Sequence, residues 1–404
     1  MEDIRRKFGD AVTLLNAVQL PTSNAAVSIG GTLNGTHDFT ATAGSANVTL
    51  TGAIGGTTRL GALKLVSTGT MTFGSSVKAA SVLTNTNGLV RLGGDVDTTT
   101  TQTYNDAIVL TANVVISGTD IALTRTVNSD GTARTLQVTG SGVTTFGGIV
   151  GGTAELASLT VDGGGTTLLN AGTVTTAGAQ SYTDAVTLGA DTTLVTTNSS
   201  VGFTSTLNSL ASLSAPATLS ITAGTGNITL GGIVGGATGG ALGAVTLVSA
   251  TNVGINAAFT AASLTQQAGA GSGTTIIGGA TTLTGALGFT GGNLVINAAV
   301  GAGGTVSFTG SALTVNAAVT AGGAVTVANT GTFTTSATGD ITAAGAFTQS
   351  GAGSNSLAGD VSLTLGSAAL SFATAVTLTG NVVFSTTNGA ATFAEVVDGT
   401  ADND

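Results

Sequence analysis

The chain has 404 residues, 64 of them Gly and only 2 Pro, with no Cys, no Trp and 4% aromatic residues. Charged residues are 7%, against about 25% in ordinary soluble domains, and the net charge is −10. Nucleic acid is not expected as a partner, because the nine basic residues are Arg5, Arg6, Lys7 and six isolated ones. The lack of Cys excludes disulfides and thiolate metal sites, and 42% hydrophobic content is the reverse of a disordered composition.

Met1–Phe8 is charged and lacks the apolar stretch of a signal peptide. Residues 1–7 are accordingly set apart as a non-repeat segment, with one continuous repeat region expected over 8–404. That region opens with the first of four aromatic cassettes: Phe8-Gly-Asp-Ala-Val-Thr-Leu14, Tyr104-Asn-Asp-Ala-Ile-Val-Leu110, Tyr182-Thr-Asp-Ala-Val-Thr-Leu188 and Phe372-Ala-Thr-Ala-Val-Thr-Leu378. Both tyrosines of the chain fall on the aromatic position. Downstream, Asn16, Asn113, Asp191 and Asn381 share a turn position, and Thr32-Leu-Asn34 matches Thr206-Leu-Asn208.

A second cassette interleaves with the first: Gly52-Ala-Ile-Gly-Gly56, Gly148-Ile-Val-Gly-Gly152 and Gly232-Ile-Val-Gly-Gly236, spaced by 96 (152 − 56) and 84 (236 − 152) residues. Toward the C-terminus a shorter period appears. Leu294-Val-Ile-Asn-Ala-Ala-Val300 returns as Leu313-Thr-Val-Asn-Ala-Ala-Val319, 19 residues on (313 − 294).

Segments such as Val306-Ser-Phe308 and Val325-Thr-Val327 alternate apolar and polar residues, which is the strand period, and Gly, Asn or Asp follows each. Short alternating runs, a corner after each and a step of about 20 residues fit one coil of an all-β, right-handed parallel β-helix. Each coil would hold two or three strands, in about 20 coils of about 4.8 Å. Gly and Asn would supply the corners, and Pro would be rare because strands are paired on both sides. From Thr192 to Gly339 no charged residue occurs, yet no run of about 18 apolar residues forms a membrane span.

Candidate chemistry is sparse. His37, the only histidine, reads as a loop residue. The three glutamates are Glu2, Glu155 and Glu395, and the aspartates are spread singly at turns. Asp95 and Asp97 share a strand face, as do Asp402 and Asp404, with no partner expected on a neighbouring coil. Gly269–Gly273 and Gly301–Gly304 lack the Lys-Ser/Thr ending of a phosphate loop and read as corners. Thr98–Thr101 and Thr332–Thr335 do not recur at coil spacing, which argues against an ordered-water array. No catalytic, cofactor-binding or metal residue is assigned, and no cofactor is expected.

The Tyr-x-Asp-Ala-Val-Thr-Leu cassette, with the Gly-Ile-Val-Gly-Gly and Leu-x-x-Leu segments, resembles the β-strand-repeat regions of large bacterial exoproteins. These are the filamentous-haemagglutinin-like and autotransporter-like adhesins, and the likeness covers about residues 8–404. It implies an exported, surface-displayed rod engaged in adhesion to a host or neighbouring cell, matrix or glycan. The chain departs from that pattern in lacking a leader, an Asn-Pro-rich secretion domain (its prolines are Pro21 and Pro216) and a C-terminal membrane barrel. It opens and closes mid-module, so a fragment with sticky ends, prone to end-to-end association, is expected. A solenoid carbohydrate-active enzyme is the alternative.

Overall fold

The structure is a computed structural model, which describes residues 6–85, 87–267 and 273–400. All of its regular secondary structure among these residues is β-strand, from two to eight residues long. The strands pair in parallel throughout, as an all-β parallel β-helix of about 18 turns. The chain divides into two compact units, residues 1–197 and 198–404.

Each coil of the first unit contributes to three columns of strands. The first column runs Arg6–Phe8, Val27–Ile29, Val48–Leu50, Thr70–Phe73, Leu89–Leu92, Ala107–Leu110 and Val127–Ser129. It continues through a bridge at Val150 to Thr173–Thr176 and Thr192–Thr196. The second begins at Val12–Thr13 and Leu33–Asn34 and reaches Thr135–Gly140, Ser158–Asp162 and Gln180–Tyr182. The third runs from Val18–Pro21 and Phe39–Gly44 to Val143–Phe146, Thr166–Leu169 and Ala185–Leu188. Where Leu60–Ser67 packs on Val77–Thr84, one eight-residue strand spans two columns. Pro21 lies in a strand that pairs on one side only among the described residues, where its missing N–H interrupts no ladder.

The second unit has the same plan. Its columns include Leu287–Thr290, Val306–Gly310 and Val325–Asn329; Asn293–Ile296, Ala312–Val315 and Phe333–Thr335; and Val300–Ala302, Val319–Ala321 and Ile341–Ala343. Leu294 stacks on Leu313, so the short period seen in the sequence is one coil. Elsewhere the step is shorter, as from Val90 to Ile108, or much longer, as from Val201 to Ile228, because corners absorb insertions that the columns cannot.

The core is a stack of like on like. Val27, Val48, Met71, Val90, Ile108 and Val127 follow one another along one inner line, all fully buried. Each buried aliphatic side chain is worth about 1.5–3 kcal/mol relative to exposure. No single coil can bury its own inner face, so this term accrues only when coils stack. In the second unit aromatic rings join the ladder. Phe289 and Phe308 stack with centroids 5.2 Å apart, and Phe372 and Phe393 at 5.5 Å.

The long cassettes do not stack on their own copies. From Ile54 the second column climbs through Val77, Val96 and Ile116 to Val138, four coils, and the next copy at Val150 lies two columns further on. The longer module is thus four and two-thirds coils. Phe8, Tyr104 and Tyr182 accordingly occupy the first, third and second columns.

Candidate functional site

Most of the acidic side chains among the described residues stand at corners, and several of them bind backbone N–H groups. Asp38 Oδ1 accepts the Ala62 N–H (2.7 Å), Asp95 Oδ1 that of Val115 (2.8 Å), Asp120 Oδ1 that of Val143 (2.8 Å), and Asp360 Oδ1 that of Val383 (2.7 Å). Glu395 Oε2 accepts the Ala375 N–H (3.0 Å). In each case a carboxylate satisfies a backbone donor one coil away. The donor would otherwise be stranded where the chain leaves the ladder.

Asparagine plays the same part beside the Gly-rich cassette. Asn34, Asn128 and Asn208 accept the N–H groups of Thr57, Thr153 and Ala237 at 3.0, 3.0 and 3.1 Å. The cassette itself turns on one glycine. Gly55, Gly151 and Gly235 have φ of 64°, 71° and 68°. A Cβ at these positions would lie 2.0–2.1 Å from a carbonyl oxygen of the next coil. Both the left-handed backbone and the close approach demand Gly there.

Asp97 differs from the sequence expectation, because it does have partners on neighbouring coils. The Arg59 guanidinium donates to the Ala79 carbonyl (3.0 Å) and the Asp97 carbonyl (2.8 Å) and pairs with the Asp97 carboxylate. Ser117 Oγ on the following coil reaches Asp97 Oδ1 at 3.4 Å. Arg59 therefore spans two coil steps, a reach that no local spacing reveals. Arg125 does likewise, donating to the Asn105 carbonyl and to Asn87 Oδ1, both at 3.1 Å.

His37 is half-buried at a corner, where its carbonyl accepts the Gly61 N–H at 3.0 Å. Glu155 is exposed. Glu2, Asp402, Asp404 and residues 269–272 lie outside the described residues. Gly303 and Gly304 donate their N–H groups to Leu283 O (2.8 Å) and Gly285 O (2.9 Å), so neither is free to hold a phosphate. The Thr332–Thr335 run does not recur on the neighbouring coils, which read Ala312-Leu-Thr-Val315 and Ser354-Asn-Ser-Leu357 at the same register. Thr334 stands in an outward row with Thr314, Ser356 and Thr377 at coil spacing. Thr100 Oγ1, in the other Thr run, donates to Ala80 O at 2.8 Å.

A buried polar clasp escaped the sequence reading. Gln102 and Tyr104 are both fully buried. The Tyr104 hydroxyl donates to Gln102 Oε1 (2.8 Å), and Gln102 Nε2 donates to the Val96 (3.1 Å) and Ser117 (2.8 Å) carbonyls. Gln180 and Tyr182 repeat the arrangement, with Gln180 Nε2 on Val174 O (3.1 Å) and Val195 O (2.9 Å). Burial pushes both phenols well above the usual tyrosine range. The signal was present: Gln stands two residues before each Tyr, but Arg6 and Leu370 hold that place in the Phe copies.

Two residues after each Tyr, Asp106 and Asp184 are buried and accept the N–H groups of Gly88 (2.7 Å) and Gly164 (2.9 Å). Burial first, then the nearby Asp162 charge, raise the Asp184 pKa, against the Gly164 hydrogen bond, which lowers it. Asp162 is itself held by Gln137 Nε2 (2.9 Å) and Thr139 Oγ1 (2.8 Å). Among the described residues no group of three or more His, Asp or Glu side chains is placed to hold a metal ion. A cavity of about 380 Å³ lies at the first coil, lined by apolar residues such as Phe8, Val12, Leu14, Leu20 and Phe39. No family model, curated protein or solved structure matches the chain.

Proposed function

We propose that the chain is a structural segment of an adhesive, surface-displayed or secreted protein, a stiff stack that holds other parts away from the cell and carries out no catalysis. The observation that carries this reading is the fate of the carboxylates. Asp38, Asp95, Asp120, Asp360 and Glu395 each serve a backbone N–H on an adjacent coil. A solenoid hydrolase or lyase needs instead two or more carboxylates converging on one groove. The cassette style, with repeated Tyr-x-Asp-Ala-Val-Thr-Leu segments, supports kinship with exoprotein repeats. Weak contacts repeated along many coils would add avidity for a cell, matrix or glycan surface.

The test applies the whole chain to arrays of glycans and matrix proteins and, in parallel, to a panel of soluble polysaccharides. Retention on a surface without depolymerisation is the expected result. Release of shortened oligosaccharides would refute the structural reading. Absence of binding to every cell, matrix and glycan surface would refute the adhesive part.

A further inference from the structure

Two corners of the first unit share a flaw. Asp106 and Asp184 are 1% and 4% exposed, and in both the Oδ2 atom is buried with no hydrogen-bond partner. Thr84, on the coil before Asp106, and Thr167, on the coil before Asp184, are equally buried and have Oγ1 atoms without a partner. The register sets each Thr one coil back and two residues along from its Asp, on the strand entering the corner at Asp106 and on the strand leaving it at Asp184. Thr84 pairs with Tyr104, two residues before Asp106, and Thr167 pairs with Val186, two residues after Asp184. A third orphan hydroxyl, Thr144, pairs with Thr167 one coil further back. Its oxygen occupies the space that a Cβ on Gly140 would take, 2.4 Å away.

An orphaned buried acceptor or hydroxyl costs about 1–3 kcal/mol, and such groups are rare in folded proteins. The same orphaned Asp oxygen at the same motif, twice, with a buried Thr hydroxyl orphaned one coil below on one side of the corner or the other, points to a shared kind of partner. That partner must donate to a carboxylate oxygen and also meet a threonine hydroxyl. A hard cation is a poor fit, since it takes six or more oxygen ligands. Each corner offers one free carboxylate oxygen, and both oxygens of Asp162 are already engaged. Water needs only two to four polar partners, and its immobilisation costs at most about 2 kcal/mol.

We propose that each Tyr-x-Asp corner encloses an ordered water that donates to the Asp Oδ2 and hydrogen-bonds the Thr hydroxyl of the preceding coil. At the Asp184 corner the site extends toward Thr144. The Asp is then a two-sided clasp: one oxygen holds the Gly N–H of the coil below and the other holds the water.

A high-resolution crystal structure of the full chain tests this directly. Density for a water within hydrogen-bonding distance of both Asp106 Oδ2 and Asp184 Oδ2 is expected, and an empty corner at both overturns the proposal. Thr84→Val and Thr167→Val give an independent reading, because the sign of the effect differs. If the hydroxyls hold water, each substitution speeds hydrogen exchange of the Gly88 or Gly164 amide about fivefold, the equivalent of one ordinary hydrogen bond. If the hydroxyls are true orphans, Val removes a buried polar group that binds nothing. Exchange that is unchanged or slower in both variants would then overturn the proposal.

Discussion

Replacing Gln102 with Leu should destabilise its neighbourhood more than removing the hydroxyl of Tyr104. Gln102 is fully buried and makes three contacts: it accepts from Tyr104 Oη at 2.8 Å and donates to Val96 O at 3.1 Å and Ser117 O at 2.8 Å. Gln102→Leu keeps the volume nearly unchanged but strands the phenol and removes a donor from two carbonyls on different coils. At about 1–3 kcal/mol for a stranded buried group, with carbonyls partly served by the ladder, the loss is roughly 2–4 kcal/mol. Tyr104→Phe strands only Gln102 Oε1 and should cost about 1–2 kcal/mol. In the double variant the phenol and its acceptor vanish together, so its cost should fall short of the sum by about 1 kcal/mol. Long repeat arrays need not unfold in one step, so the assay is native-state hydrogen exchange of the strands Val96–Thr98, Gln102–Tyr104 and Val114–Gly118. A Tyr104→Phe cost equal to or above that of Gln102→Leu, or strict additivity, would refute the clasp as an energetic unit.

Both tyrosines are buried with raised pKa, so the native state resists losing their protons. This contribution is complete below the unfolded value of about 10 and is lost as pH rises above it. Near-ultraviolet tyrosinate absorbance should therefore appear only together with loss of β-structure, and smooth titration of either phenol in the folded chain would contradict the burial. Asp184 has a raised pKa from burial and Asp162, which makes its ionised form a native-state penalty. Stability from this group is present below about pH 4 and is lost as pH climbs through the raised folded value. Asp184→Asn, which keeps an acceptor for Gly164, should flatten that part of the stability–pH curve and stabilise the chain at neutral pH. Gly151→Ala should cost at least about 1 kcal/mol from the left-handed backbone alone, with the Thr175 carbonyl clash added. Gly202→Ala, where a Cβ meets nothing within 4 Å, should be neutral or stabilising by up to about 1 kcal/mol. Equal midpoints for these two variants in thermal unfolding would show that the Gly151 corner tolerates a side chain.

The coil was legible in the sequence where the corners are constant. Leu294 and Leu313 begin matching segments and stack directly, because the intervening corners hold no insertion. It was obscured in the first unit, where the step from Val90 to Ile108 is much shorter than the step from Val150 to Val174. The corner acids were legible as turn residues, but their partners were not. Asp97 meets Arg59, 38 residues earlier, through two coils of three-dimensional stacking that no sequence window contains. Gln102 and Gln180 were overlooked for a different reason: a buried amide looks like a surface residue until its partners are known, and only its fixed place two residues before Tyr marks it.

The mismatch between module and coil explains why long cassettes can recur without harming the stack. If the module were a whole number of coils, every copy of Tyr-x-Asp-Ala-Val-Thr-Leu would lie on one column above its own image. Near-identical strands would then compete for the same neighbour, and register is weakest where alternatives look alike. At four and two-thirds coils from Phe8 to Tyr104, and three and two-thirds from Tyr104 to Tyr182, successive copies fall on different columns. Each then pairs with unrelated strands: Phe8 with Ile29, Tyr104 with Leu123, Tyr182 with Val161. This works only because the three columns ask the same thing of a segment: buried residues at the first and third positions of a short strand and a polar corner after it. Val27–Ile29, Val96–Thr98 and Ile121–Leu123, one from each column, share that burial pattern.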